Sequence, residues 1–289
     1  MCYYSSALTN QKKNRISVFE MEDKKMKKIL SMLLTLATVF ALCACGQSAA
    51  PAAAESDLAY VQGKGTLIVG ITDFAPMDYK DDSGEWIGFD ADTAKAFAES
   101  LGVTAEFVEI DWDNKILELN NKSIDCVWNG MTLTPEVTSS MACSEPYCNN
   151  AQVVVVKADV ADKYQTADSL SGLAFAVEAG SAGEAAVKEL GIEPTAVQSQ
   201  SSALMEVEAG TADACVIDLL MAGAMIGEGT SYPDLSYTVQ LTSEEYGVGF
   251  RTGSDLATKL NEFFAASCKD GSLMEIAKTY GVQESIIAK

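Results

Sequence analysis

The chain contains no histidine and only two arginines, Arg15 and Arg251. Without imidazole, the Ser/His/Asp and Cys/His nucleophile arrangements are unavailable, as is every zinc site that needs a histidine. Most hydrolase chemistry is thereby excluded, and no catalytic residues are expected. Cations are scarce altogether: 20 Lys plus Arg stand against 41 Asp plus Glu in 289 residues, a net charge of -21. A protein that neutralises phosphates needs clustered cations, so nucleic acid is not expected as a partner. The five cysteines after residue 45 are odd in number and lack a C-x-x-C spacing. They provide neither a metal cluster nor a disulfide framework, and no metal or other cofactor is expected.

What the chain does have is 48% hydrophobic and 21% charged residues, enough to build a core in one large domain or two ordinary ones. Lys24, Lys25, Lys27 and Lys28 precede an apolar run over 29–42. At 14 residues this run is too short to span a bilayer and has the form of a signal peptide. It ends in Leu42, Cys43, Ala44 and Cys45, which resembles the lipobox of bacterial lipoproteins. Residues 1–44 are therefore expected to be a leader. Cys45 would be the acylated first residue of the mature chain, held at the extracellular face of the cell membrane by its lipid alone. An ordinary secretory signal with an incidental cysteine is the alternative. Residues 1–20 fit no part of a signal, and Met21 or Met26 makes a better start. Residues 45–56, rich in Ala and Ser, read as a flexible tether.

From residue 66 onward, short β-branched runs alternate with amphipathic stretches, which argues for βα units and a largely parallel sheet in an α/β fold. Strands are expected at 66–71, 106–110, 124–128 and 153–156, the last closing a first block. Asp90 is expected to cap a helix that stops at Gly102, and a further helix is expected at 114–121. A second block repeats the plan, with strands at 173–177 and 212–218 and helices at 181–190 and 203–209. Strands at 236–241 and 246–250 and two helices follow. The last strand is expected to return to the first block. That gives a first lobe of 57–153 and 246–289, a second lobe of 157–242, and two crossings that form a hinge.

These residues resemble the solute-binding proteins of the polar amino acid ABC-transporter family. The resemblance rests on GFDAD (88–92), NGMTLTPE (129–136) with SEPY (144–147), VEAGS (177–181) and IDLLMAG (217–223), in that order. It implies a two-lobed periplasmic-binding-protein-like (type II) fold, each lobe a mostly parallel sheet flanked by helices, joined by a two-strand hinge. It also implies a monomer that binds a polar amino acid or a related amine in its cleft and hands it to ABC permease subunits. A dehydratase of the cyclohexadienyl type on the same fold is the enzymatic alternative, although a site without arginine is poorly equipped for its dicarboxylate.

A free amino acid carries one cation and one anion, and each needs a partner once buried. The resemblance assigns the ammonium to Asp218, which can equally serve as a helix N-cap. For the carboxylate it points to the turn at Ser181 and Ala182, where a helix begins and unpaired N–H groups favour an anion. Ser181 is also a natural N-cap, with Glu184 at capping-box spacing. Asn129, Gly130 and Thr132 match the family's polar contacts, and Phe74 and Trp112 match residues that flank the ligand's side chain. Asp73 supplies a further carboxylate. At Val137 this chain departs from the family, which has a carboxylate-binding arginine there. Arg251 reads as a surface or hinge residue. Cys143 and Cys148 are near enough in sequence for a disulfide to be considered.

Overall fold

The computed structural model describes residues 56–287. The expected leader, the lipidation site Cys45 and nearly all of the tether lie outside the described residues. Helix α1 (Asp57–Lys64) opens the described chain; the Ser56 hydroxyl caps it by accepting the Ala59 N–H at 3.0 Å, and Gly65 ends it in the left-handed region. The first half continues through β1 (Thr66–Ile71), the hairpin β2 (Tyr79–Lys80) and β3 (Trp86–Ile87), α2 (Phe89–Ser100) and β4 (Thr104–Glu109). A 3-10 turn at Trp112–Asn114 then runs into α3 (Lys115–Asn120), followed by β5 (Cys126–Val127), α4 (Pro135–Ser140) and β6 (Ala142–Cys143).

The chain then crosses through β7 (Cys148–Asn150) into β8 (Gln152–Lys157), β9 (Phe175–Glu178), α5 (Ala182–Glu189) and β10 (Thr195–Val197). It continues with α6 (Gln200–Ala209), β11 (Ala214–Asp218), α7 (Leu219–Met225) and β12 (Leu235–Gln240). It returns through β13 (Glu244–Tyr246) to β14 (Gly249–Phe250), α8 (Leu256–Asp270) and α9 (Ser272–Thr279).

Two five-stranded sheets result, ordered β4-β1-β5-β14-β6 and β10-β9-β11-β8-β12. In each, one strand opposes the rest: β14 is antiparallel to β5 and β6, and β8 is antiparallel to β11 and β12. These are the strands by which the chain enters each sheet after crossing. The crossings themselves, β7 and β13, pair antiparallel, with Asn150 opposite Glu244 and Cys148 opposite Tyr246. The fold is thus two α/β lobes, each with a mostly parallel sheet, joined by a two-strand ribbon.

Two expectations of local structure need correction. The run at 153–156 does not close the first block but forms β8 at the heart of the second sheet. Both its faces are buried, and a continuous apolar run carries no mark of which sheet it joins. Asp90 does not cap α2; Gly88 holds that position, and the Asp90 carboxylate is fully buried, accepting the Gly130 N–H at 2.7 Å and the Tyr147 hydroxyl at 2.7 Å. The cysteines at 126, 143, 148, 215 and 268 are all free.

Arg251 is neither a surface nor a hinge residue. It directly follows β14 and is buried, donating to both Asp57 oxygens, to Asp125 Oδ1 at 3.2 Å and to the Ile124 carbonyl at 2.8 Å. It fastens the returning chain to α1 and to the segment entering β5. Removing one partner of a buried pair strands the other charge. Arg251→Ala should therefore lower stability by roughly 3–5 kcal/mol in urea titration; an unchanged midpoint would show that the network contributes nothing.

Candidate ligand-binding site

A cavity of about 240 Å³ lies between the lobes. Its first-lobe wall comes from Trp112 and Lys115 beyond β4 and from the segment Asn129 to Val137 that links β5 to α4. Its second-lobe wall comes from Glu178 at the end of β9, the turn Gly180–Ala182 that opens α5, Gln200 at the start of α6 and Asp218 at the end of β11, with Gln152 on β8. Parallel strands thus deliver their C-terminal ends to the cavity, where α/β folds place ligands.

Asp218 is its most elaborately held group. Although it precedes α7, its side chain makes no cap bond. Instead Oδ1 accepts from the Gln152 amide at 3.0 Å, the Tyr246 hydroxyl at 2.6 Å and the Asn150 amide, while Oδ2 accepts from the Gln200 amide. A carboxylate has about four acceptor positions, two on each oxygen. Oδ1 is crowded and Oδ2 keeps room for another donor. Asn150 and Tyr246 belong to the crossing strands β7 and β13, so the ribbon between the lobes ends on this carboxylate. Burial, and next the nearby Glu244 carboxylate, push the Asp218 pKa up to about 7 against the pull of these donors.

On the opposite wall, Lys115 is the cation that lines the cavity. It is only 8% exposed; its Nζ donates to the Gly180 carbonyl at 2.9 Å and the Trp112 carbonyl at 3.2 Å, and lies 5.0 Å from the Trp112 ring centroid. Burial lowers its pKa, while Glu136, Glu178, Asp113 and Glu184 work in the other direction. An ammonium has three protons to donate, so one remains after the two carbonyls. Nearby, Ser181 caps α5 by accepting the Glu184 N–H at 3.1 Å, and Glu184 accepts the Gly180 N–H at 2.8 Å. This leaves the first amides of α5, at Ala182 and Gly183, without intrahelical acceptors.

Trp112, Asn129, Gly130, Thr132, Ser181, Ala182 and Asp218 all line the cavity, and Val137 lines it with a buried aliphatic face. Asn129 holds Thr72 through two bonds, and Thr132 donates to Glu244 at 2.9 Å. Gly130, at φ 54°, lies where an added Cβ would come within 2.3 Å of the Phe74 ring. Phe74 is therefore a buried support behind the wall, edge-on to Tyr246, and not part of the lining. Asp73 is exposed and also outside the lining; it accepts from Ser201 of α6 at 3.3 Å and so bridges the lobes. The sequence reading missed Lys115, Gln152, Gln200 and Glu178. Glu178 stood within the VEAGS motif, where only its serine drew notice.

Glu178 is 3% exposed, and burial followed by the Asp218 charge pushes its pKa up to about 8. Asp90 behind the wall is pushed up to about 7, chiefly by burial. Unfolded carboxyls titrate near pH 4. Groups raised in the folded state stabilise it fully below that pH and lose the contribution as pH climbs through 7 to 8. The ligand-free protein should thus be less stable at pH 8 than at pH 5, by about 1–3 kcal/mol allowing for coupling between the groups. Thermal midpoints that are equal, or higher at pH 8, would contradict these shifts.

Residues 67–283 match the family model for bacterial extracellular solute-binding proteins, family 3. The chain is 31% identical over 264 residues to the arginine-binding extracellular protein ArtP of Bacillus subtilis (strain 168), covering 88% of this chain and 98% of that protein. It is 28% identical over 240 residues to the L-cystine-binding protein TcyJ of Escherichia coli (strain K12), covering 81% and 90%. A crystal structure of an ABC uptake transporter substrate binding protein from Streptococcus pneumoniae with bound histidine aligns with a TM-score of 0.71 at 30% identity, covering 78% of this chain and 96% of that one. These relatives are binding proteins, not enzymes, which sets aside the dehydratase alternative. The extent of the family match, with the two-lobed fold, makes the chain a member of the bacterial extracellular solute-binding proteins, family 3.

Proposed function

We propose that this chain is the lipid-anchored, extracellular binding component of an ABC importer and that it captures a free amino acid between its lobes. The observation that carries this reading is one cavity between the lobes with a buried carboxylate, Asp218, on one lobe and a buried ammonium, Lys115, on the other. An α-amino acid matches that pair. Its ammonium would take the open position on Asp218 Oδ2, and its carboxylate the third proton of Lys115 together with the Ser181 hydroxyl and the first amides of α5. Trp112 would flank the side chain. Lys115 fills, from a different element, the electrostatic role left vacant by Val137. The arginine, cystine and histidine named for the relatives support an amino acid as the class of solute.

Capture works by differential affinity: contacts from both lobes exist together only in the closed arrangement, so the ligand favours it. In this reading residues 1–44 are a leader, 45–56 a tether, and the mature protein a monomer that docks on permease subunits. Cys45→Ser should release the protein from the cell or leave its precursor uncleaved, and normal processing with membrane retention would remove the anchor from the account. For the ligand, a thermal-shift screen against the twenty amino acids should give at least one rise in midpoint. Asp218→Asn should then weaken binding of that amino acid by ~2–5 kcal/mol in calorimetry with folding near normal. An unchanged dissociation constant would rule out the pairing.

A further inference from the structure

After an amino acid's two charges are assigned, one buried group of the cavity is still unaccounted for. Glu178 ends β9, lines the cavity and is 3% exposed. The Thr72 and Gln200 side chains approach its carboxyl, yet Oε1 is buried without a hydrogen-bond partner. A buried acceptor left unmet costs more than the bond it would form is worth, so such an atom in a ligand cavity points to a donor that arrives with the ligand. Lys115 faces the same space but is held by the Gly180 and Trp112 carbonyls, and it forms no ion pair within 4 Å among the described residues.

The ionisable groups of the lining sharpen the point. Asp218, Glu178 and the exposed Glu136 stand against Lys115. A zwitterion at Asp218 and Lys115 adds no net charge and leaves Glu178 unmet. A ligand with a second cation meets it. Resting on the amino-acid reading above, we infer that Glu178 receives a positively charged side-chain group on Oε1, so that the site selects a cationic amino acid over its neutral isostere.

The groups facing Glu178 are Asp218 at the end of β11, Lys115 on α3, Thr72 after β1 and Gln200 on α6. Its raised pKa keeps the carboxyl largely protonated at pH 7 in the empty cavity. An incoming cation favours the ionised form, so binding expels that proton to solvent. Ionisation of Asp218 on meeting the α-ammonium is common to all amino acids and cancels between ligands that differ only in the side chain.

L-Arginine and L-citrulline, which differ by a guanidinium against a neutral ureido group, make the test with the full-length chain. Calorimetry should give wild type binding arginine about tenfold or more tighter than citrulline, and Glu178→Gln should remove most of that preference. In two pH 7 buffers of different ionisation enthalpy, wild type should release more protons with arginine than with citrulline. This second readout needs no variant and stands if Glu178→Gln fails to fold. Equal affinities and equal proton release in wild type would overturn the inference, as would an arginine preference that survives in Glu178→Gln. Binding only of neutral amino acids would sink the inference and leave the function intact. A folded wild type that binds none of the twenty would sink both.

Discussion

The site is organised around one buried carboxylate. Asp218 can stay in the interior because four side chains donate to it, and they come from β7, β8, β13 and the start of α6. An ion in that position without donors would take up a proton or draw in water. The need to satisfy it therefore fixes where both crossing strands must run. Tyr246 stands on the ribbon between the lobes, touches Asp218 through its hydroxyl and backs Phe74 with its ring edge. Phe74 in turn occupies the space that only a glycine at 130 leaves open. Hinge, cavity floor and cavity wall are one connected set of contacts.

A second buried carboxylate does similar work out of the ligand's sight. Asp90, set on α2 by the GFDAD segment, takes the Gly130 N–H and the Tyr147 hydroxyl. It holds the Asn129–Gly130 turn to the first lobe from behind. Acidic groups are thus used as interior acceptors on both sides of the cleft, in a chain whose surface is already strongly acidic. Against that background the one lysine buried among the described residues matters greatly: the Lys115 ammonium is the positive charge offered to the cavity, and its bond to the Gly180 carbonyl ties it to the other lobe.

The plan of the fold was legible in the sequence because β-branched runs, glycine stops and serine caps recur with βα spacing. β1, α5 and β11 lie within a few residues of their expected places. The assignment of β8 failed because a strand buried on both faces has no alternation from which to infer a neighbour. In the cavity, the turn at Ser181 and the segment from Asn129 to Thr132 stood out because turn and cap residues advertise themselves. Lys115 and Glu178 did not, since a lysine at a helix start and a glutamate at a strand end are ordinarily solvated. Each is buried here where the two lobes meet at the cavity. Arg251 was misplaced for a different reason: its partners Asp57 and Asp125 belong to the same lobe but are distant in sequence.

The proposed function depends on the cavity engaging both charges of its solute, one from each lobe. The most direct measurement compares an amino acid that binds with the amine that lacks only its α-carboxylate, by calorimetry on the same preparation. The account predicts that the amine binds weaker by about 100-fold or more, because Lys115 and the first turn of α5 lose their partner while Asp218 keeps its own. Equal affinities would mean that Lys115 holds no part of the solute, and the reading of this cavity as an amino-acid site would be wrong.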